Sequence, residues 1–345
     1  MMRKAYYPMA ILLCCLSLWV STAQANIYRH SIIEQPIAVG PYALQGLLTL
    51  PQHDASVDNI PVVVLIWGTG QVDKHGSYGN SQIFKDIAQG LAAHGIASIR
   101  HHKRYYQYPA GQSAMRVQTE ILEDSLSALQ LAHAHPLLGD IHVLGFSLGG
   151  IVAPLLIDTA QRLDIPIASF VSLGSSPLPV AQIIFNNATF FSNMAQTQGL
   201  PVTAQQLQGA VQLMSLLPDN LLRLALERLE RELSMSFAAT GFGIDYLLSL
   251  HQLRPQDYLS QLSLPILVLQ GMADVQITYA HDFAMWQQLL AHRDQTTLIA
   301  YPYLNHFFTT HDPELGYFQG WVHEPFNQKV LQDMIAFFHG LNTLQ

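Results

Sequence analysis

The chain has 345 residues, of which half are apolar, 10% are aromatic and only 12% are charged, and its formal net charge is −8. This composition excludes a disordered chain and a coiled coil, because both need more charge. The acidic balance, without any block of like charge, excludes a polybasic arm, so no nucleic-acid partner is expected. The length fits one large α/β domain or two small domains.

The first 25 residues have the three-part pattern of a secretory signal. Two basic residues precede an apolar run from Met9 to Val20, and an Ala-Gln-Ala sequence follows at positions 23–25. We therefore predict a signal peptide over residues 1–25, cleaved after Ala25, and an exported protein that is periplasmic or secreted. The run is shorter than the ~20 helical residues that span a bilayer. No stable membrane span is expected after the signal is removed.

Both cysteines, Cys14 and Cys15, lie inside this signal. Disulfides, thiolate catalysis and cysteine metal sites are therefore excluded from the mature chain. A lipoprotein signal would need a small residue before the lipidated cysteine, but Leu13 precedes Cys14. The pairs His101-His102 and His133-x-His135 lack the partners of a metal-binding motif. The sequence predicts no metal and no cofactor.

In chain order, two segments around Ile32 and from Tyr42 to Leu50 predict antiparallel lead-in strands. Six short apolar runs then predict buried strands, at residues 61–67, 96–100, 141–145, 168–173, 265–270 and 298–301. Helical spacing predicts helices at residues 82–94, 113–133, 148–161, 280–292 and 328–341. Strands that are apolar on both faces and alternate with helices are typical of a doubly wound, mostly parallel α/β sheet.

Residues 175–264 interrupt this alternation, since no strand is evident there. Leu222, Leu226, Leu229 and Leu233 form an amphipathic helical stripe. We predict a helical insertion between the two parts of the core, residues 26–174 and 265–345. It either packs as an extension of the core or caps a substrate pocket. The cap is favoured, because the insertion leaves from the sheet edge where such folds bind ligands.

The sharpest motif is Gly145-Phe146-Ser147-Leu148-Gly149, which follows a predicted strand and opens a predicted helix. This is the context of a G-x-S-x-G nucleophile elbow, with Ser147 as the nucleophile. The helix start directs the Leu148 N–H at a developing oxyanion. A second donor is expected after the strand at residues 61–67, where we favour the N–H of Thr69, with Gly68 shaping the loop.

A serine nucleophile needs a base and an orienting carboxylate, in the chain order Ser, Asp, His for this fold class. Asp274 follows the strand at residues 265–270 and is the predicted acid. Asp282 and Asp294 lie within or after the next helix and are expected to be solvated.

The base should lie between the last strand and the final helix, which selects His306 among the sixteen histidines. His311 and His323 are weaker candidates for the same role.

These motifs resemble the α/β-hydrolase superfamily, and within it the secreted, dienelactone-hydrolase-like and acyl-thioesterase-like esterases. The segments that carry the resemblance are residues 64–70, 73–76, 95–100, 103–104, 145–150, 269–276 and 304–308. The resemblance covers about residues 28–343 and is weakest in the insertion. It implies hydrolysis of carboxylic esters by Ser147, Asp274 and His306.

Three positions depart from the pattern of these relatives: His102 stands where an Asp is common, Tyr105 where a Gly is common, and Phe146 where a His is common. The pocket wall near Tyr105, Tyr106 and Tyr108 is therefore expected to differ. These tyrosines either line the pocket or pack the loop.

The sequence thus predicts an exported serine hydrolase that acts on a small-molecule ester or thioester through an acyl-enzyme. Alternatives with the same triad are a thioesterase, an acyltransferase and a peptidase. A further alternative is a non-catalytic binding protein. The predicted triad and oxyanion donors lie outside the insertion, so the insertion is expected to select the acyl chain without building the catalytic geometry.

Overall fold

The computed structural model describes residues 32–52, 58–79, 81–197, 199, 202–233, 243–310 and 325–342. The predicted signal peptide, His311 and His323 lie outside these residues. The strands are β1 (Ile32–Val39), β2 (Leu44–Pro51), β3 (Ile60–Ile66), β4 (Ser77–Tyr78), β5 (Ser81–Gln82), β6 (Ala97–His101), β7 (Leu138–Phe146), β8 (Ser169–Leu173), β9 (Ile266–Gly271) and β10 (Thr296–Tyr301).

Eight of these strands form one sheet in the order β1-β2-β6-β3-β7-β8-β9-β10, and β4 and β5 form a small hairpin. β1 and β2 pair antiparallel with each other, and β2 pairs antiparallel with β6. All the other pairs of the large sheet are parallel. The predicted mostly parallel sheet and its antiparallel lead-in are therefore confirmed.

The central strands are buried on both faces, as β3 illustrates. Val62, Val64 and Ile66 pack into the hydrophobic cluster on one face of the sheet. Val63 and Leu65 alternate with them and pack into the cluster on the other face. Successive side chains of a strand point to opposite faces, so a continuous apolar run requires a covering layer on each side.

Helices supply both layers and the insertion. They are α1 (Ile83–Ala92), α2 (Arg104–Gln107), α3 (Glu123–Ala134), α4 (Leu148–Gln161), α5 (Val180–Asn186), α6 (Ala188–Thr197), α7 (Ala204–Ser215), α8 (Asp219–Leu233), α9 (Ile244–His251), α10 (Pro255–Leu259), α11 (Ala284–Leu290) and α12 (Gln328–Asn342). α1 and α12 cover one face of the sheet, and α3, α4 and α11 cover the other. Within the described ranges, no helix is both long and apolar enough to cross a membrane.

Helices α5 to α10 occupy the interval between β8 and β9, and no strand occurs in the described part of that interval. Leu222 and Leu226 of the predicted amphipathic stripe are buried and form a small hydrophobic cluster with Leu248 of α9. The interval therefore has a hydrophobic core of its own in addition to its contacts with the sheet.

The predicted helix at residues 113–133 is regular only from Glu123 onward. A 3₁₀ helix (Pro109–Ala114) precedes it, followed by a π turn (Gln118–Leu122). The wider π turn buries Glu120 beside Ile121, although an acidic residue at that position would otherwise favour solvent.

β7 begins at Leu138, three residues before the predicted start. The register between β3 and β7 shifts there, because Ile60 pairs with Leu138 whereas Val62 pairs with Ile141. The irregularity needs Gly139, since a Cβ at that position would lie 2.7 Å from the carbonyl oxygen of Asn59. A glycine inside a bulged strand is easily mistaken for a loop residue.

Candidate active site

Ser147 lies in the tight turn between β7 and α4, with φ 54° and ψ −125°. Residues other than glycine rarely adopt such positive φ values without strain. Glycine is required at positions 145 and 149, because neighbouring backbone atoms leave no room for a Cβ. A Cβ at position 145 would lie 2.5 Å from the Cα of Gly150, and one at position 149 would lie 2.3 Å from the carbonyl oxygen of Ile66. The turn thus has the geometry of the nucleophile elbow that the motif predicts.

The structure brings Ser147, His306 and Asp274 into one hydrogen-bonded chain. His306 Nε2 lies 3.1 Å from Ser147 Oγ, and His306 Nδ1 lies 2.7 Å from Asp274 Oδ2. The imidazole and the carboxyl group are almost fully buried. A carboxylate beside Nδ1 favours the tautomer that leaves Nε2 able to accept a proton from the serine. The arrangement can therefore generate a serine nucleophile.

The loop after β9 fixes the direction of the Asp274 carboxylate. The N–H groups of Gln276 and Ile277 donate to Oδ1 at 2.8 and 3.0 Å. The side-chain amide of Gln270 donates to Oδ2 at 3.3 Å. Because both oxygens have donors of their own, the carboxylate is held with Oδ2 facing the imidazole.

The loop after β10 is held by the side chain of Asn305. Its Oδ1 accepts from the N–H groups of Phe307 and Thr309 at 2.9 and 3.2 Å, and its Nδ2 donates to Thr309 Oγ1 at 2.8 Å. This loop touches the one after β9, since a Cβ at position 271 would lie 2.4 Å from the carbonyl oxygen of Leu304. The contacts position His306 against Asp274.

The two predicted oxyanion donors lie on adjacent segments. Leu148 is the first residue of α4, so its N–H has no partner within the helix. A Cβ at position 68 would lie 2.7 Å from Ser147 Cβ and 3.1 Å from Leu148 N. Gly68 therefore borders both the serine and the first donor. The next residue in the chain, Thr69, is exposed.

A second carboxylate near the site was not anticipated. Asp282 is fully buried, so the expectation that it is solvated is wrong. Its Oδ1 accepts from Ser176 Oγ at 2.6 Å, and its Oδ2 accepts from the N–H of Thr278 at 2.6 Å. Burial raises the pKa of Asp282, while these hydrogen bonds oppose the shift. Asp282 joins the loops after β8 and β9, which no pattern local to residue 282 could reveal.

The interval between β8 and β9 also contacts the predicted catalytic loops. Ser175 Oγ donates to the carbonyl oxygen of Ser147 at 2.7 Å. The side-chain amide of Asn187 donates to the carbonyl oxygens of Val275 and Gln276, the latter at 3.2 Å. The insertion was expected to take no part in the catalytic geometry. These hydrogen bonds show that it nevertheless contacts the loops that carry Ser147 and Asp274.

The loop tyrosines differ in their surroundings. The hydroxyl of buried Tyr105 lies 3.0 Å from Thr119 Oγ1, and the hydroxyl of Tyr108 donates to the carbonyl oxygen of Tyr42 at 3.0 Å. These contacts favour packing of the loop for Tyr105 and Tyr108. Tyr106 is 46% exposed and stacks on His102 with 4.8 Å between ring centroids.

Both ring nitrogens of His102 contact Lys74. Its Nδ1 accepts from the N–H of Lys74 at 2.9 Å, and its Nε2 lies 3.2 Å from Lys74 Nζ. Burial and this ammonium lower the pKa of His102 to about 4. Among the residues that the structure describes, no group of three or more His, Cys, Asp or Glu side chains could hold a metal ion.

No family model matches the chain. Over 278 residues, 80% of its length, the chain is 25% identical to Esterase EstD of Thermotoga maritima, and it spans 60% of that relative. Among solved structures, Est1E from Butyrivibrio proteoclasticus matches with a TM-score of 0.53 and 16% identity, over 90% of this chain and 99% of that one. The Pyrococcus horikoshii acylaminoacyl peptidase matches with a TM-score of 0.54 and 14% identity, over 92% of this chain and 43% of that one.

These likenesses agree with the sheet order and the helical layers described above. The chain has the α/β-hydrolase fold, and the predicted resemblance to esterases of that superfamily is confirmed.

Proposed function

We propose that this α/β-hydrolase-fold protein is a carboxylesterase-like serine hydrolase that acts through Ser147, His306 and Asp274. The observation that carries the proposal is the continuous hydrogen-bonded chain from Asp274 through His306 to Ser147 at a strained elbow. The relative named as an esterase supports the reaction class. Because the chain spans only 60% of that relative, the ester itself is identified by experiment rather than by analogy.

In the proposed reaction, His306 Nε2 takes the proton of Ser147 Oγ while the oxygen attacks the ester carbonyl. The N–H groups of Leu148 and Thr69 stabilise the negative charge on the carbonyl oxygen. The C–O bond then breaks, and the alcohol leaves with the proton from His306. A water molecule, deprotonated by His306, attacks the acyl-enzyme, and the acid is released with the serine restored.

Thioester hydrolysis, acyl transfer and peptide hydrolysis would use the same acyl-enzyme and differ in the leaving group or the acceptor. No contact in the described residues favours them over ester hydrolysis. The intact hydrogen-bonded triad weighs against a non-catalytic binding protein, since such a protein has no need of an oriented base.

The test uses residues 26–345 with a fluorophosphonate probe and aryl esters of graded acyl length. Ser147→Ala should abolish both labelling and turnover, because the residual acceleration of ~10³–10⁴ over water lies below routine detection. The matched control is Ser127→Ala, whose hydroxyl donates to a carbonyl within α3. Undiminished turnover in Ser147→Ala would remove Ser147 from the mechanism.

We also propose that the protein is exported, with residues 1–25 as the signal. The support is the sequence pattern that ends in alanines at positions 23 and 25. N-terminal sequencing of the protein from the periplasm or the medium should give a chain that begins at Asn26. Accumulation of the unprocessed chain in the cytoplasm would contradict export.

A further inference from the structure

A buried ion pair lies beneath the loop of the proposed second oxyanion donor. Lys103 follows β6 and is 5% exposed, and Glu120 in the π turn is 2% exposed. Lys103 Nζ contacts Glu120 Oε1 and also donates to the carbonyl oxygen of Gly68. Burial lowers the pKa of Lys103, and the Glu120 carboxylate opposes that shift. Desolvation makes such pairs poor sources of stability, so their presence needs another explanation.

The hydrogen bond from Lys103 to the carbonyl oxygen of Gly68 acts on the predicted oxyanion donor, Thr69 N–H, through a single peptide unit. The carbonyl of Gly68 and the N–H of Thr69 belong to the same planar group, and the described residues contain no cis peptide. In a trans peptide the two bonds point in opposite directions. An ammonium that holds the oxygen therefore fixes the direction of the Thr69 N–H. It also polarises the amide, which makes the N–H a stronger donor.

A residue from the interval between β8 and β9 contacts this ion pair and the oxyanion loop. Tyr246 of α9 is fully buried, and its hydroxyl interacts with the side chains of Glu120 and Thr69. Burial and the Glu120 carboxylate raise the pKa of Tyr246 well above its usual value, so the hydroxyl stays neutral and can donate. α9 is anchored nearby, because Ser249 Oγ accepts from the N–H of Val117 at 3.0 Å.

We propose that Lys103, held by Glu120, which Tyr246 contacts in turn, is a positioning residue that orients and polarises the Thr69 N–H toward the oxyanion. The inference rests on the proposed function, since it concerns the oxyanion of that reaction. The proposal also gives the insertion a part in catalysis, because Tyr246 belongs to the insertion and contacts Glu120. This part is in addition to any part in substrate choice.

The test replaces both charges at once, with Lys103→Met and Glu120→Gln in one variant, so that no lone charge is left buried. Removing an oxyanion donor outright lowers kcat by about 10²–10³. Because Thr69 keeps its N–H here, we expect kcat to fall by about 10- to 100-fold. KM should change little, and affinity for a trifluoromethyl ketone, which forms a tetrahedral oxyanion on Ser147, should fall by a similar factor.

The neighbouring ion pair provides a matched control. Arg104 and Asp124 are about as buried as Lys103 and Glu120, with 2.6 Å between Arg104 Nη2 and Asp124 Oδ1. Arg104 follows Lys103 directly and also pairs with Glu123. Neither Arg104 nor Asp124 is bonded to the oxyanion loop in the described contacts. The double variant Arg104→Met with Asp124→Asn should lower the melting temperature and keep kcat. Lys103→Arg, which retains a donor for Gly68, should recover part of the lost kcat.

Parent-like kcat and ketone affinity in the Lys103–Glu120 variant would overturn the inference while leaving the proposed function intact. If that variant fails to fold, Tyr246→Phe carries the test, since it removes only a hydroxyl. A fall in kcat of about fivefold, the effect of one hydrogen bond, is expected, and an unchanged kcat would overturn the inference. Failure of the proposed function is recognised separately, by a parent protein whose Ser147 is not labelled, and the inference would fall with it.

Discussion

Asp274 and Asp282 are two buried carboxylates eight positions apart with different partners. Asp274 faces the imidazole of His306, whereas Asp282 is occupied by Ser176 and Thr278. Only a carboxylate in contact with the imidazole can set its tautomer and stabilise the imidazolium that forms during acylation. The two residues therefore offer a direct comparison between a proposed catalytic role and a structural one.

Asp274→Asn should lower kcat by about 10⁴ with a smaller change in KM, because an amide at Oδ2 favours the wrong imidazole tautomer. Asp282→Asn should lower the free energy of unfolding by about 1–3 kcal/mol, the usual effect of a broken buried hydrogen bond, and keep most of kcat. Steady-state kinetics and denaturant unfolding of both variants measure these effects. If Asp282→Asn lost activity and Asp274→Asn did not, the assignment of the acid would be reversed.

Residues at strand ends could be predicted from the sequence, because chain order and loop position restrict the choice for Ser147, Asp274 and His306. Asp282 could not, since its burial depends on Ser176, which lies 106 positions away in the chain. Glu120 is a similar case. Its partner Lys103 belongs to another element, and an acidic residue in a helical pattern normally indicates a solvated face.

The position of α6 makes it a candidate wall of the substrate pocket. Phe190 and Phe191 of α6 pack with the hydrophobic cluster that contains Phe146 and Phe307. The ring of Phe146 lies 5.0 Å from that of His306, measured between centroids. Met214 of α7 instead packs against the insertion's own cluster around Leu222 and Leu226. The apolar residues of α6 and α7 thus have different neighbours.

Phe191→Ala should shift the preferred acyl chain to greater length if α6 forms the wall of the acyl pocket. Each additional buried methylene contributes ~0.8 kcal/mol, or about fourfold in binding. Met214→Ala is the control and should lower stability without moving the length profile. Aryl esters of increasing acyl length measure the effect. Identical length profiles for both variants and the parent would show that α6 only packs.

The predicted elements were most reliable where the apolar spacing was regular. The central strands and α4 lie close to their predicted bounds, because burial on both faces leaves a continuous apolar run. The helix predicted at residues 113–133 is regular only over its second half, from Glu123 onward. In its first half, the π turn that buries Glu120 depends on a charged partner from another part of the chain.

His142 makes the stability of the folded protein depend on pH. It lies in β7 near the middle of the sheet, is 1% exposed, and its Nδ1 lies 2.8 Å from Ser169 Oγ. Burial lowers the pKa of His142 to about 4, against a value near 6.5 in an unfolded chain. Between these values the unfolded state binds the proton more tightly. Stability from this group is therefore complete above pH 6.5 and is lost as pH falls toward 4.

A His142→Leu variant isolates this contribution. The difference in free energy of unfolding between parent and variant should move by about 2 kcal/mol, against the parent, from pH 7.5 to pH 5. Denaturant unfolding at several pH values gives the comparison. A difference that stays constant over this range would mean that the histidine is protonated equally in both states.

The connection between β8 and β9 has a consequence for the exchange of lids between hydrolases. These strands are parallel neighbours, so some crossover must join them whatever else the segment does. The final part of this crossover also covers the sheet, since Leu253, Leu259 and Leu264 pack into the core cluster that includes α4. A graft that removed α5, α9 or the stretch ending at Leu264 would take Ile183, Tyr246 or Leu264 out of that cluster, whereas none of its residues comes from α7 or α8. The interchangeable module is therefore shorter than the interval between the strands.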